Sequence, residues 1–253
     1  MMKNRMKILG ILFVVVATVL LWGFIDLLPV IGDPQSAPNT HISKVYIEEG
    51  PSTTHSPNLV TGVLADYRGL DTMLETTVLY LASITVTLIM SREKSGKEER
   101  TSFERIQQFG YTEIRMILPV AVPILLLYAL YVLVHGEVSL GGGFQAGALI
   151  ALAYILYSFT EKPGEEKLRI SQFGFTCIGA GGLLIYFTTG LLPVVFGGSF
   201  LEYGKLPLGF LSEGARHSAG ILTIEIGVTV SVAASIILIL EAILERKDID
   251  ERT

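Results

Sequence analysis

Apolar residues in this chain neither alternate nor recur at amphipathic spacing; they fall into long blocks separated by short polar stretches. The first block, Ile8 to Ile25, runs 18 residues without a charge, about the length needed to cross a 30 Å hydrocarbon core at 1.5 Å per residue. Five more follow at Leu70 to Met90, Met116 to Val134, Leu140 to Phe159, Ile170 to Phe196 and Ala219 to Ala242. The pattern predicts an all-α, polytopic membrane protein of about six transmembrane helices. Several blocks contain Gly, Pro or Thr, which membrane helices tolerate because neighbours re-satisfy the freed backbone groups. Pro119 and Pro123 are expected to kink the third span. Lys3, Arg5 and Lys7 precede the first block as they would in a cleaved signal peptide, but no small-x-small site closes it, so it reads as an uncleaved span.

Charge supplies an orientation. Lys and Arg of short loops stay in the cytoplasm. With six spans and an inside N-terminus, the inside segments hold fifteen of the 19 Lys and Arg, while the outside loops hold only Lys44 and Lys205. Adding or removing one span destroys that bias, so both termini are expected in the cytoplasm of a multi-pass protein of the cell membrane. Only 17% of the 253 residues are charged and 50% are hydrophobic, against about 25% charged in soluble domains. The net charge of −5 leaves no basic patch for nucleic acid. The single cysteine, Cys177, lies in an apolar run with no second thiol to pair with or share a metal. It reads as a small core residue.

Two polar stretches divide the chain. Gly32 to Pro57, rich in Pro, Ser, Thr, Asn and His, reads as an external excursion or cover with no core of its own. Ser91 to Gln108 is densely charged and reads as a cytoplasmic linker. The expected organisation is a two-helix module at 1–90, a linker at 91–110 and a four-helix module at 111–253. No internal repeat marks an inverted-repeat transporter, and the chain is small for a complete secondary transporter. Both points favour a subunit of a larger assembly.

Candidate chemistry lies where charges meet apolar blocks. Asp66, Arg68, Asp71 and Glu75 crowd the mouth of the second span. Asp71 and Glu75 stand four apart on one helix face, where two like charges favour proton exchange and Arg68 offsets them. They read either as part of a proton or cation path or as a solvated helix cap; Asp66 reads as an interfacial salt-bridge partner of Arg68. Glu225 lies well inside the last span, where a charged carboxylate costs roughly 2.5 to 3.5 kcal/mol and needs a partner. Ser218, Glu225 and Thr229 share one side of that helix, so the stripe faces a neighbouring helix or water. Glu225 is an ion-path candidate, against a purely structural interhelical hydrogen bond. His217, at the entrance of the same helix, is either a proton gate near neutral pH or an ordinary border residue. Gly141, Gly142 and Gly143 form a break between the third and fourth spans that permits close chain approach. Glu137 beside them reads as a solvated loop carboxylate or an external ion entrance. The glycines match neither a P-loop nor a dinucleotide fingerprint. No metal-ligand spacing and no nucleophile–base motif appears, so no cofactor, metal or catalytic residue is assigned, and the chain is not read as an enzyme by itself.

These residues carry a resemblance. Residues from about 110 to 245 resemble the B subunit of Mrp-type Na+/H+ antiporters, the MnhB-related proteins, in the G-G-G-F-x-x-G-x-L run at Gly141 to Leu149 and the acidic-I-G-V run at Glu225 to Val228. Residues from about 58 to 90, V-L-A-D-Y-R-G-L-D-T-x-x-E-x-T-V-L, resemble the small E-type subunit of archaeal membrane-bound hydrogenases and the C-terminal tail of the Mrp A subunit. The two together cover about two-thirds of the chain and look like a fusion of neighbours. The B subunit usually has Pro where Leu140 stands and often Asp where Glu225 stands. The resemblance implies a subunit of a monovalent cation/proton translocating module that moves Na+ and H+. Its implied partners are other antiporter-like subunits and hydrogenase-like or complex I-like redox subunits of a respiratory complex, such as a membrane-bound hydrogenase or sulfur reductase. The alternative is a structural subunit of that module with no ion path of its own.

Overall fold

The computed structural model describes residues 2–28, 30–91, 112–158 and 170–250. Beyond Ser91, the charged linker expected at 91–110 lies outside them, as do many of the Lys and Arg positions on which the orientation rests. Among the described residues every element is helical. The six long helices are α1 (Met2–Gly23), α2 (Gly69–Ser91), α3 (Thr112–Val134), α4 (Gly143–Ser158), α5 (Gln172–Val195) and α6 (Glu213–Asp250). Among the described residues four apolar stretches are long enough to cross a membrane: Gly69–Met90, Met116–Val134, Gln172–Val195 and Glu213–Ile243. The apolar parts of α1, Leu9–Gly23, and of α4 are shorter. The triple glycine takes up the start of the block expected at Leu140 to Phe159, so α4 begins only at Gly143, and its described part ends at Ser158. α3 runs on as one helix through Pro119 and Pro123.

The chain forms two compact units, Met1–Glu49 and Gly50–Thr253. The first is α1 followed by short helical turns at Ile25–Leu27, Pro38–Ile42 and Val45–Glu49. Its large side chains, such as Phe13 at 75% and Trp22 at 73% exposure, have no core to enter. A helix apolar all round needs a covering environment that this unit does not itself supply. The stretch read as a single excursion from Gly32 to Pro57 therefore divides, because residues from Gly50 onward pack into the second unit.

In the second unit α6 is the central helix, packed against α5, α4 and α2. Of the most apolar stretch of α6, 67% is buried, against 17% for α2. Small residues allow that density. A Cβ on Gly143 would stand 2.5 Å from the Glu225 carbonyl oxygen, and one on Gly182 would stand 2.5 Å from the Gly227 carbonyl oxygen. α4 and α5 thus meet the α6 backbone directly, the close approach that small residues permit in membranes. On α5 the inward stripe is Phe175, Gly179, Gly182 and Tyr186. Cys177 falls outside that stripe and is exposed, not a core residue.

Ahead of α2 the chain makes a wide helical turn, Gly62–Tyr67. Two fully buried tyrosines tie this turn and the start of α2 to the rest of the unit. The Tyr203 hydroxyl donates to Ala65 O and the Tyr186 hydroxyl to Gly69 O, both at 2.6 Å.

Candidate ion site

Glu225 is only 8% exposed, inside the apolar length of α6, and its Oε2 has no hydrogen-bond partner. Its backbone carbonyl is already engaged. Thr229 Oγ1 donates to it at 2.8 Å and also reaches Gly143 O at 3.2 Å. The side chain instead points at the break between α3 and α4. A Cβ on Gly136 would lie 2.9 Å from Glu225 Oε2, and one on Gly142 would lie 3.2 Å from Oε1. Glycine at 142 is required twice over, since its φ of +134° disfavours any side chain. Gln145 Oε1 approaches the same point of Gly142, at 3.6 Å from that position.

Glu137 sits on this break and is half-buried, not a solvated loop carboxylate: its Oε1 is shielded and has no hydrogen-bond partner. Burial holds its carboxyl above the usual range, and a hydrogen bond with the Ser218 side chain draws it partly back. Glu137 and Glu225 act on each other electrostatically. Ser218, Glu225 and Thr229 therefore face the α3–α4 break and α4 as one polar stripe. The helical spacing placed them on one face, and the structure supplies what that face meets.

The break is held by residues that precede α2. Asn58 Nδ2 donates to Gly136 O and to Ser139 O, both at 2.7 Å, and Thr61 Oγ1 donates to Gly136 O at 2.5 Å. Ser56 Oγ reaches Glu137 O at 3.3 Å. The polar residues before the second span thus grip the turn that carries Glu137. Asn58 also caps the helical turn at Leu59 through a bond from Val60 N to its Oδ1.

Nearby, Asp66 pairs with His217 and not with Arg68. Its Oδ2 lies 3.4 Å from His217 Nδ1, with the two side chains 23% and 13% exposed. Arg68 turns the other way, to Asp71 Oδ2 at 2.6 Å, because the wide turn at Gly62–Tyr67 directs Asp66 inward and Arg68 outward. Tyr203, whose hydroxyl is pushed well above its ordinary range chiefly by burial, packs edge-on against the His217 ring at 6.0 Å. Asp71 and Glu75 are exposed on the outer face of α2 beside Leu74 and Val78. They are not brought to Glu225.

The sequence reading missed Glu241, a second buried carboxylate of α6, 7% exposed and accepting a bond from the Tyr154 hydroxyl at 3.3 Å. The rule that singled out Glu225, an acid within an apolar run, applies equally to it. The sixteen-residue step from one to the other spans about 24 Å of helix. Asn58, Gln145, Tyr186 and Tyr203 carried no sequence signal, since their roles arise from contacts across the fold.

Fold and site define a polytopic helical membrane protein with two carboxylates, Glu225 and Glu137, at a glycine-built helix break. The chain belongs to the family of MnhB-related subunits of Na+/H+ antiporters. Residues 113–238 match the model of the domain related to the MnhB subunit, and residues 30–108 match that of the E subunit of MBH. A putative antiporter subunit mnhB2 of Staphylococcus haemolyticus is 31% identical over 130 residues, covering 51% of this chain and 92% of that protein. A probable K(+)/H(+) antiporter A/B subunit of Rhizobium meliloti is 27% identical over 83% of this chain, which spans only 22% of that protein's length. A chain of the membrane-bound sulfane sulfur reductase, an archaeal respiratory membrane complex, superposes with a TM-score of 0.63 at 25% identity, covering 96% of this chain and 99% of that one. The Mrp complex from Dietzia sp. DQ12-45-1b contains the same fold, with a TM-score of 0.58 at 22% identity over 93% of this chain and 26% of that one.

Proposed function

We propose that this chain is a membrane subunit of a monovalent cation/proton translocating module, and that Glu225 and Glu137 hold the transported proton or Na+ between them. The observation that carries this reading is the Glu225 side chain. It is buried in a membrane-crossing helix, unpartnered at Oε2, and interacts with a second carboxylate, Glu137, whose Oε1 is likewise shielded and unpartnered. Two facing carboxylates in a low-dielectric site cannot both stay ionised without a positive charge between them. A proton satisfies the pair, and so does a small hard cation, which prefers oxygen donors such as carboxylates and the Gln145 amide oxygen. In this reading six spans cross the membrane with both termini in the cytoplasm, and the chain carries no catalytic centre of its own.

Asp71 and Glu75 join the path through a neighbouring chain. Both are exposed on a face of α2 that is otherwise apolar, where contact with lipid would be costly. That neighbour covers them in the assembled complex. The end-to-end match to one chain of a respiratory complex favours a respiratory assembly over a stand-alone exchanger, since there too both modules lie in one chain of similar length.

The test is Glu225→Gln in the native complex. Na+-dependent proton movement in membrane vesicles, normalised to assembled complex, should fall at least about tenfold, which corresponds to roughly 1.4 kcal/mol. Full transport per assembled complex would overturn the ion-site reading, and loss of assembly without loss of specific transport would assign Glu225 a structural role.

A further inference from the structure

We propose that His55, Glu213 and His217 form a binding site for a divalent transition-metal ion of the zinc class at the entrance of α6, with Asp66 as the positioning residue behind His217. The ligand-capable atoms of the three residues all lie within 4.8 Å of one another. Glu213 and His217 stand four apart in the first turns of α6 and so share a face. His55 comes from the loop ahead of α2, and its ring centroid lies 5.0 Å from that of His217 at an interplanar angle of 64°.

The two nitrogens of His217 are distinguished by their surroundings. Nδ1 faces Asp66 Oδ2 at 3.4 Å, and both atoms are shielded with no other partner. Nε2 points to the opposite side, where a Cβ on Gly204 would lie 3.2 Å from it and 3.6 Å from Glu213 Oε1. The two donor atoms thus converge on the same space beside Gly204, which a side chain at 204 would crowd. A carboxylate behind one imidazole nitrogen fixes the tautomer and turns the other nitrogen toward a metal, the usual outer-shell arrangement of histidine ligands.

His55 is presented rather than buried. It adopts φ +54°, a left-handed conformation uncommon for a residue with a side chain. Buried Thr54 and Ser56 anchor it on both sides, the first by a bond to Gly50 O at 2.9 Å and the second through Glu137 O. Its ring packs beside the first turn of α6, where a Cβ on Gly214 would lie in ordinary contact at 3.5 Å from His55 Nδ1.

Two imidazoles and one carboxylate form a mixed nitrogen and oxygen set that suits Zn2+ and leaves a fourth position for water. Ca2+ and Mg2+ prefer all-oxygen sites, and thiolate-seeking ions find no sulfur in this set. Zinc–ligand bonds of about 2.0–2.1 Å draw donor atoms to about 3.3 Å apart in a tetrahedron. Exposed Glu213 has the freedom to supply that closure. A bound ion would fasten the His55 loop to α6. The site is independent of the transport reading, because its test measures metal.

The complex is purified through a tag without histidines, stripped with a chelator and titrated with Co2+, whose visible absorption reports low-coordinate nitrogen and oxygen ligation, and then with Zn2+ as competitor. The wild type should take up one ion more than the His55→Ala, His217→Ala double variant, and His55→Ala alone should weaken that uptake tenfold or more. Asp66→Asn should weaken it by about 10–100-fold, the range for outer-shell partners, with the protein still assembled on size exclusion. Should the His217 changes prevent assembly, exposed His55→Ala decides the question alone. Indistinguishable titrations of wild type and His55→Ala overturn the site.

Discussion

α2 and α6 both place acids within apolar, membrane-length helices, and they treat them in opposite ways. On α2, Asp71 is paired with Arg68 and about half exposed, at 55%, and Glu75 stands beside Leu74 and Val78, which are 53% and 64% exposed. On α6, Glu225 and Glu241 are 8% and 7% exposed. Intrinsic composition does not separate the two helices; their enclosure does. α6 is surrounded by α2, α4 and α5, so anything its acids exchange must come through this chain. α2 leaves one face to the outside, so its acids become useful or tolerable only when another chain of the complex covers them. A carboxylate in a membrane helix thus marks either an internal site or an interface, and burial within the chain tells which.

The contrast breaks most sharply in a labelling experiment. With Cys177 replaced by alanine, Glu75→Cys in the chain purified alone should react fully with a thiol reagent, and the same position in the assembled complex should be protected. Equal labelling in both forms would leave the α2 acids facing lipid or solvent and remove the argument for a neighbour there. A cysteine at 225 should resist the reagent in both, because its protection comes from α4 and α6 themselves.

Packing sharpens the same comparison at smaller scale. A Cβ at Gly182 would meet the Gly227 carbonyl oxygen at 2.5 Å and Ser231 N at 2.7 Å, both backbone atoms that cannot rotate away. Gly182→Ala should therefore cost about 1–3 kcal/mol as an overpacked contact. Leu74→Ala on the open face of α2 should stay within about 0.5 kcal/mol in the isolated chain, as surface changes do. Thermal unfolding in detergent measures both, and equal losses would mean that α6 is no more tightly enclosed than α2.

Much of this was legible in the sequence, and the rest had a physical reason to be hidden. The apolar blocks located the long helices because lipid imposes a length on them. Glu225 stood out because an acid in such a block demands a cause. Gly143 belonged to a visible glycine break, though not the fact that it lets α4 touch the Glu225 carbonyl. Asp66 was read as the partner of Arg68 because sequence proximity suggests the pair, but the wide turn at Gly62–Tyr67 sends the two side chains apart, and a histidine 151 positions away takes Arg68's place. Asn58, which fastens the break at Gly136 and Ser139, is one polar residue in a polar stretch. Its partners are about eighty residues distant, and no local pattern encodes such a contact. Local chemistry was legible where the membrane or a helix period constrains it; pairings across the fold were not.

Glu137 offers the finest distinction, because it belongs to the enclosed site yet lies outside the membrane-crossing segments. Burial raises its folded pKa above that of the unfolded chain, and the Ser218 hydrogen bond partly offsets this. The native state then binds more protons than the unfolded state between the ordinary carboxylate range and the raised value. Stability must fall as pH rises through that window, since the slope follows the protons bound by the unfolded state minus those bound by the native state. The contribution is fully present in acid and lost above the folded pKa. Glu137→Gln should flatten that stretch of the melting-temperature profile without inverting it. Ser218→Ala, which removes the one interaction favouring the ionised form, should extend the fall to higher pH. A Glu137→Gln profile that parallels the wild type would show that water reaches this carboxylate as freely as it reaches Asp71, and the enclosed site would then open at the break and not along α6.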